Sequence, residues 1–402
     1  MHLLCIAPYV PHPAIPHAGG AYLHRYLRIA AETEDVVLVA PRTDVNAETV
    51  SSVELPYPVH LVDPVPPRFG PVGLRVRNGR AALSPGWAVL TGMRTSAVLA
   101  ELSATCDVID VEYGQFLPLV PLLRQHAPAA AIVCTEPDVV AQTFHRRAQS
   151  SRGAKRAALT IQQRRIGRRE IAYLNACDLV RVTNPKDERL LRSMGLTAPC
   201  LVTDIVGGGV PDRPFAFGRA GVVAFTGALW RTENARSLIW FVDSVWPLVR
   251  ARVPDAEFLA VGADPGPEVL ALASVPGVTI RSWTPDLDEV YATAGVFVAP
   301  LVMGAGVKMK VLDAMRYALP VVATTIGAEG IVEEAPPGSF AAVTDDPQEF
   351  ADAVSTLLED QGRRSGIGET ASTWMSARPT FEESVAASLQ AYRDAAERRR
   401  SA

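Results

Sequence analysis

The chain has 402 residues, 48% of them hydrophobic and 20% charged, which is enough apolar material for two domains with separate cores and too much for a disordered chain. A formal net charge of -4 gives no overall drive toward a polyanion, so no nucleic-acid partner is expected. Cys5, Cys106, Cys134, Cys177 and Cys200 are scattered, with no C-x-x-C pair and no histidines at zinc-ligand spacing, so reduced structural thiols and no metal site are expected.

The first apolar segment, Leu3 to Ala7, is shorter than a secretory hydrophobic region, and no run approaches the roughly 20 apolar residues needed to cross a bilayer. The expectation is a cytoplasmic chain whose membrane contact, where there is any, is peripheral at the inner face. Short apolar runs then alternate with longer helical segments, the pattern of parallel sheets with crossover helices. Strands are predicted at Leu3 to Pro8, Val36 to Ala40, His60 to Val62, Val108 to Glu112, Ala131 to Thr135, Leu179 to Thr183 and Leu201 to Ile205. Most are continuously apolar and therefore read as buried on both faces.

Glycine and proline cluster in the run Val206 to Pro214, which breaks regular structure and is read as the hinge between domains. A second series of strands follows at Val222 to Thr226, Glu257 to Val261, Val278 to Arg281, Val296 to Ala299, Val321 to Ala323 and Ala341 to Val343, with helices at Asn234 to Arg252, Leu287 to Ala294 and Val307 to Tyr317. The domain reading is 1–208, 209–378 and a C-terminal helix in 379–402 packing back on the first domain. Ligands of open α/β sheets bind beyond the carboxyl ends of the strands, so two such sheets imply a cleft walled by strand-to-helix loops.

The segment 296–315 is a buried strand, a Gly304-Ala305-Gly306 turn and a helix start. The glycines allow backbone to approach an anion, and first-turn amides favour one. Lys308 and Lys310 add two charges at the same end, where cations oppose the helix dipole at a cost of roughly 0.3 to 1 kcal/mol unless something negative offsets them. The competing reading is an i,i+3 surface pair of Lys310 with Asp313 beside an ordinary turn.

Several segments recur together in 225–330: Phe225-Thr-Gly-Ala-Leu-Trp-Arg-Thr-Glu-Asn234, Val261-Gly262, the Gly304 to Lys310 turn, Leu312-Asp-Ala-Met315, Pro320-Val-Val-Ala-Thr324 and Gly327-Ala-Glu-Gly330. In this order the second half resembles the donor domain of retaining GT-B glycosyltransferases of family four (glycosyl transferases group 1), in the subset with a Gly-Ala-Gly-x-Lys-x-Lys donor turn. The resemblance implies an α/β GT-B fold, two Rossmann-like domains facing across a cleft. It also implies transfer of a sugar from a nucleoside diphosphate donor to an acceptor hydroxyl with retention, in glycoconjugate, polysaccharide or natural-product biosynthesis, with no cofactor or metal required. The donor base, UDP, GDP or dTDP, stays open, as does the oligomeric state.

The residues that carry this over are Arg231, Lys308 and Lys310 for the leaving diphosphate, with Gly227, Gly304, Ala305 and Gly306 beside it and Gly19 and Gly20 from the first domain. Asp313 stands where the family has the glutamate that binds the ribose hydroxyls. Trp283 and Thr284 match the segment holding the base, Trp283 being equally readable as a core aromatic, and Asn234 is either a donor contact or a helix cap. Three departures accompany the match: Ala305 replaces the first of two glutamates eight positions apart, Ala318 replaces a turn glycine, and the usual lysine after Arg231 is missing.

For the acceptor, Glu112, Glu136 and Asp138 lie at strand ends of the first domain, and His17 flanks the Gly19-Gly20 turn; each is alternatively a structural group. His24 and His145 are read mainly as structural. From Arg146 to Arg169 there are nine basic residues and no acid, either a solvated helix face or a contact for anionic lipid or a phosphorylated acceptor. The alternatives to glycosyl transfer are a nucleotide-sugar 2-epimerase-like enzyme and a catalytically silent nucleotide-sugar binder.

Overall fold

The computed structural model describes residues 1–13, 15, 17–65, 87–149, 151–204, 206, 208, 221–282, 284 and 287–401. The chain divides into two compact units, Met1–Thr203 with Glu382–Ala402, and Asp204–Phe381. Apart from Val206 and Gly208, the glycine-rich run read as a hinge lies outside the described residues.

The first unit is built on seven parallel strands: β1 (His2–Ile6), β2 (Asp35–Pro41), β3 (Val59–Val62), β4 (Val108–Glu112), β5 (Ala131–Glu136), β6 (Leu179–Val182) and β7 (Cys200–Val202), in the order β3-β2-β1-β4-β5-β6-β7. β4 and β5 are buried throughout because helices cover both sheet faces, which is why their sequences do not alternate. The helix Phe381–Ser401 belongs to this unit from Glu382 on. It is tied in by Tyr392, whose hydroxyl donates to Asp110 Oδ2 at 2.6 Å, and by the pair of Arg25 with Glu382 at 2.8 Å.

The second unit carries six parallel strands: β8 (Val222–Thr226), β9 (Glu257–Val261), β10 (Val278–Arg281), β11 (Val296–Ala299), β12 (Val321–Ala323) and β13 (Ala342–Val343), ordered β10-β9-β8-β11-β12-β13. Its core gathers Phe241, Trp246, Phe258 and Phe350, all buried, between sheet and helices. The segment expected as one helix from Asn234 to Arg252 runs as α-helix over Thr232–Trp240, a π-helical turn over Phe241–Val245 and α-helix again over Trp246–Arg252. The wide turn precedes Pro247, which has no N–H to donate to the preceding turn.

In each sheet the strand order reverses direction between two strands, β1 and β4 in the first, β8 and β11 in the second. Loops leaving the carboxyl ends of such strands diverge to opposite faces and open a crevice. The second crevice depends on a tight backbone contact: a Cβ on Gly262 would stand 1.6 Å from the Gly227 carbonyl oxygen. Gly262→Ala should therefore destabilise the protein by about 3 kcal/mol, read as a fall in melting temperature; an unchanged melt would show that the contact can relax.

Candidate functional site

Gly227 follows β8 and the Gly304–Gly306 turn follows β11, so the reversal of strand order brings these segments to one crevice. Gly227, Gly304 and Gly306 have φ of 153°, 124° and 69°, values at which a side chain is strained. Lys308 stands at the N-cap of the helix Met309–Arg316 in extended backbone and offers its first-turn amides no side-chain oxygen. The helix thus begins two residues later than the periodicity predicts, because Gly306 and Lys308 together turn the chain.

Lys310 is the centre of the site. Its Nζ lies 3.0 Å from Asn234 Oδ1 and 4.0 Å from the centre of the Phe225 ring. A Cβ on Gly227 would come within 2.5 Å of that Nζ. Burial pushes the ammonium pKa well below its ordinary value, and the charges of Arg231 and Lys308 push it the same way. No carboxylate among the described residues pairs with it. The expected alternative, a pair with Asp313, does not form.

Asn234 is nearly buried and donates from Nδ2 to the Ala228 carbonyl at 2.8 Å, which fixes the orientation of its Oδ1 toward Lys310. It lies inside the first turn of the helix Thr232–Trp240, whose cap is Arg231, so the cap reading of Asn234 is corrected. Arg231 is half-exposed, with Nε 3.7 Å from Glu233. Lys308 Nζ donates to the carbonyls of Ala305, at 3.1 Å, and Gly306, and lies 3.9 Å from Glu329 Oε2. Thr284 is half-buried beyond β10; Trp283 lies outside the described residues.

Asp313 is half-buried on the helix Met309–Arg316, and its carboxyl is pushed up to about 6 by burial, with Arg316 opposing and Asp288 reinforcing. An acid whose folded-state pKa is raised costs stability as pH climbs from its ordinary value of 3.8 to about 6, and the cost is fully present above that. Asp313→Asn should accordingly melt higher than the parent protein above pH 6 and match it well below. Equal melting at both pH values would remove the electrostatic cost assigned to Asp313.

In the first unit, Gly19 and Gly20 open the helix Ala18–Ala30, capped by His17, whose Nδ1 accepts from Gly20 N at 3.0 Å. Side chains fill the space the glycines leave: a Cβ on Gly19 would meet the Tyr113 hydroxyl at 2.5 Å, and one on Gly20 would meet Ile15 Cδ1 at 2.3 Å. Tyr9 and Tyr113 join hydroxyl to hydroxyl, and Tyr9 packs edge-on against His17 at 4.8 Å between centroids. Tyr113 holds a φ of 71°, a strained value for a tyrosine, directly after β4.

Glu112 turns inward. Its Oε1 accepts from Arg181 Nη2 at 2.9 Å, and the same guanidinium bonds Thr135 Oγ1 at 3.0 Å and Tyr22 at 2.6 Å, lies 3.9 Å from Asp110 and faces the Tyr26 ring. Burial and neighbouring Asp110 push the Glu112 carboxyl up to about 8 against the pull of Arg181. Glu136 is also buried, with Gly114 packed so closely that a Cβ would lie 2.6 Å from its carboxylate oxygens; burial, then Glu170, Asp138 and Asp187, raise its pKa well above normal. Asp138 is exposed. His24 is half-buried and His145 meets Gln163 at 3.3 Å.

The sequence reading did not single out Arg181, Glu329 or the Tyr9–Tyr113 pair. Arg181 was detectable as a charge inside an apolar strand, which has to find a carboxylate on a neighbouring strand. Glu329 lies inside the Gly327-Ala-Glu-Gly330 motif, but only the fold places it beside Lys308.

Residues 220–360 match the family described as glycosyl transferases group 1. Gly227, Arg231, Asn234, Lys308, Lys310, Asp313 and Glu329 all fall within that stretch. A stretch of 116 residues is 39% identical to an uncharacterized 44.6 kDa protein in the cps region of Klebsiella pneumoniae, amounting to 27% of this chain and 30% of that protein's length. Sucrose-phosphate synthase from Thermosynechococcus elongatus is similar in structure over 98% of both chains, with a TM-score of 0.70 and 18% identity. Anabaena HepE, in complex with UDP, gives a TM-score of 0.67 at 16% identity over 97% of this chain and 100% of that one. At such identities the likeness establishes the fold, an α/β chain with two parallel-sheet Rossmann-like halves as in GT-B glycosyltransferases.

Proposed function

We propose that the protein is a glycosyltransferase that moves a sugar from a nucleoside diphosphate donor to an acceptor hydroxyl with retention of configuration. The observation that carries this is Lys310: a half-buried ammonium held by an amide oxygen and a ring face, with no carboxylate partner among the described residues, favours an anion. The match of 220–360 supports the class, and HepE structures holding UDP and UDP-glucose support a nucleotide-sugar donor.

In this reading the diphosphate sits over the Gly304–Gly306 turn with Lys308, Lys310 and Arg231 as its cationic partners. The bond between the anomeric carbon and the phosphate oxygen breaks, charge grows on the leaving diphosphate, and preset cations stabilise it most where it is largest. The acceptor oxygen bonds the anomeric carbon on the same face while its proton passes to the departing phosphate oxygen. Positive charge comes from the chain itself, so no bound metal is required. Asp313 accepts from the ribose hydroxyls, with Thr284 and Trp283 near the base. On the acceptor side we keep His17, Glu136 and Asp138 as contacts and assign Glu112 to holding Arg181.

Calorimetric titration with UDP, GDP, dTDP and pyrophosphate tests the assignment. Lys310→Ala should weaken both the preferred nucleotide and pyrophosphate by tenfold or more, given charge-assisted contacts of about 1.5 to 3 kcal/mol. Asp313→Asn should weaken only the nucleotide, whose affinity in the parent should rise with pH through about 6 as the carboxylate ionises. Incubation with nucleotide sugars should then give slow hydrolysis and acceptor-stimulated transfer; epimerised sugar, or binding without turnover, would defeat the proposal.

We also propose a peripheral contact with an anionic surface through the helix Gly153–Leu174, where Arg152, Lys155, Arg156, Arg164, Arg165, Arg168 and Arg169 are exposed at or along its length. No helix among the described residues is long and apolar enough to cross a membrane. Cosedimentation with phosphatidylserine vesicles should fall as salt rises from low to physiological strength, as expected of screened charge. Absence of binding at low salt would sink this contact.

A further inference from the structure

Glu329 is the carboxylate that the fold delivers to the glycine turn. β12 lies beside β11, pairing Phe297 with Val321 and Ala299 with Ala323, so the loops after the two strands are neighbours. The loop after β11 forms the Gly304–Gly306 turn; the loop after β12 forms the short helix Thr325–Ala328 and ends at Glu329.

The delivery is rigid. A Cβ on Gly327 would fall 2.1 Å from the Ala299 carbonyl oxygen, so the short helix lies directly on the end of β11. Thr324 caps it, accepting from Gly327 N at 3.0 Å while donating to the Leu301 carbonyl at 2.6 Å, which staples one loop to the other. Gly330, at φ 73°, then turns the chain away, and its N–H is taken by Glu333 at 2.9 Å. Glu329 is left 8% exposed, with Oε2 3.9 Å from the Lys308 Nζ that bonds the carbonyls of Ala305 and Gly306.

A fixed acid beside a diphosphate site repels the ligand unless it contributes something in return. A sugar esterified to the terminal phosphate presents vicinal hydroxyls within a few ångströms of it, and a carboxylate accepts two such donors at once. We infer that Glu329 binds the hydroxyls of the donor sugar and so distinguishes the sugar nucleotide from the bare nucleotide. This rests on the reading proposed above and adds a residue that selects for the sugar.

The test uses the full chain, titrated with UDP, GDP and dTDP and with the glucose ester of each, taking forward the base the parent protein binds. Glu329→Gln should hold the nucleoside diphosphate within about twofold of the parent, while the affinity added by the sugar falls by about tenfold and kcat for sugar release falls at least as much. Glu329→Asp keeps a charge beside Lys308 but loses a methylene of reach; it should behave like Glu329→Gln toward the sugar, and it serves in its place if the glutamine variant does not fold. Equal losses for nucleotide and sugar nucleotide would make Glu329 a mere counterion of Lys308 and overturn the inference. So would an aspartate variant with parental sugar affinity. A parent protein that binds none of the six ligands overturns the diphosphate reading itself, a result separable from either of these.

Discussion

A half-buried ammonium group with no carboxylate partner among the described residues is the constraint around which the crevice of the second unit is arranged. Lys310 keeps its place because Gly227 has no side chain, because Asn234 is locked by the Ala228 carbonyl, and because the Phe225 ring offers its negative face. Each comes from the β8 side of the crevice, whereas Lys310 comes from the β11 side. The reversal of strand order is what allows the two halves of the arrangement to meet. Burial lowers the pKa of the ammonium, so holding it charged costs stability, and in the proposed reading an anionic ligand offsets that cost.

The first unit holds its charges in the opposite way. Arg181 is saturated, facing Glu112, Asp110, Thr135 and Tyr22 with aromatic rings around it. Removing one member of such a buried group typically costs about 3 to 5 kcal/mol because the remaining charge is stranded. The contrast is between a buried charge satisfied within its own sheet and a half-buried one that no carboxylate among the described residues balances, which is the feature the proposed donor site rests on.

Much of the architecture was legible because it follows from local rules. The thirteen described strands fall on the runs that predict them, and those buried throughout, such as β11 and β12, are continuously apolar because a strand covered on both faces cannot alternate. Legibility failed where backbone geometry intervenes. The helix carrying Lys310 starts late because a glycine at φ 69° and an extended lysine occupy the expected first turn, and the helix before Pro247 widens for want of one donor. In the site, the glycines and lysines stand out by composition. Asn234 does not, for its part depends on which carbonyl its amide finds, and Glu112 reads as an acceptor contact or a structural group at a strand end until Arg181 appears two strands away. Glu329 shows the limit most clearly, since its nearness to Lys308 exists only through the pairing of β11 with β12.

The helix Phe381–Ser401 bears on how the protein is made. Tyr392 and the Asp110 it bonds are 282 positions apart, and Arg393 reaches Glu34 across a still longer stretch. During synthesis the seven-stranded sheet leaves the ribosome well before this helix, so its buried acid waits without that phenol while the whole second unit emerges. A nascent chain stalled in the second unit would expose an unfinished first one, and a chaperone has that interval in which to act.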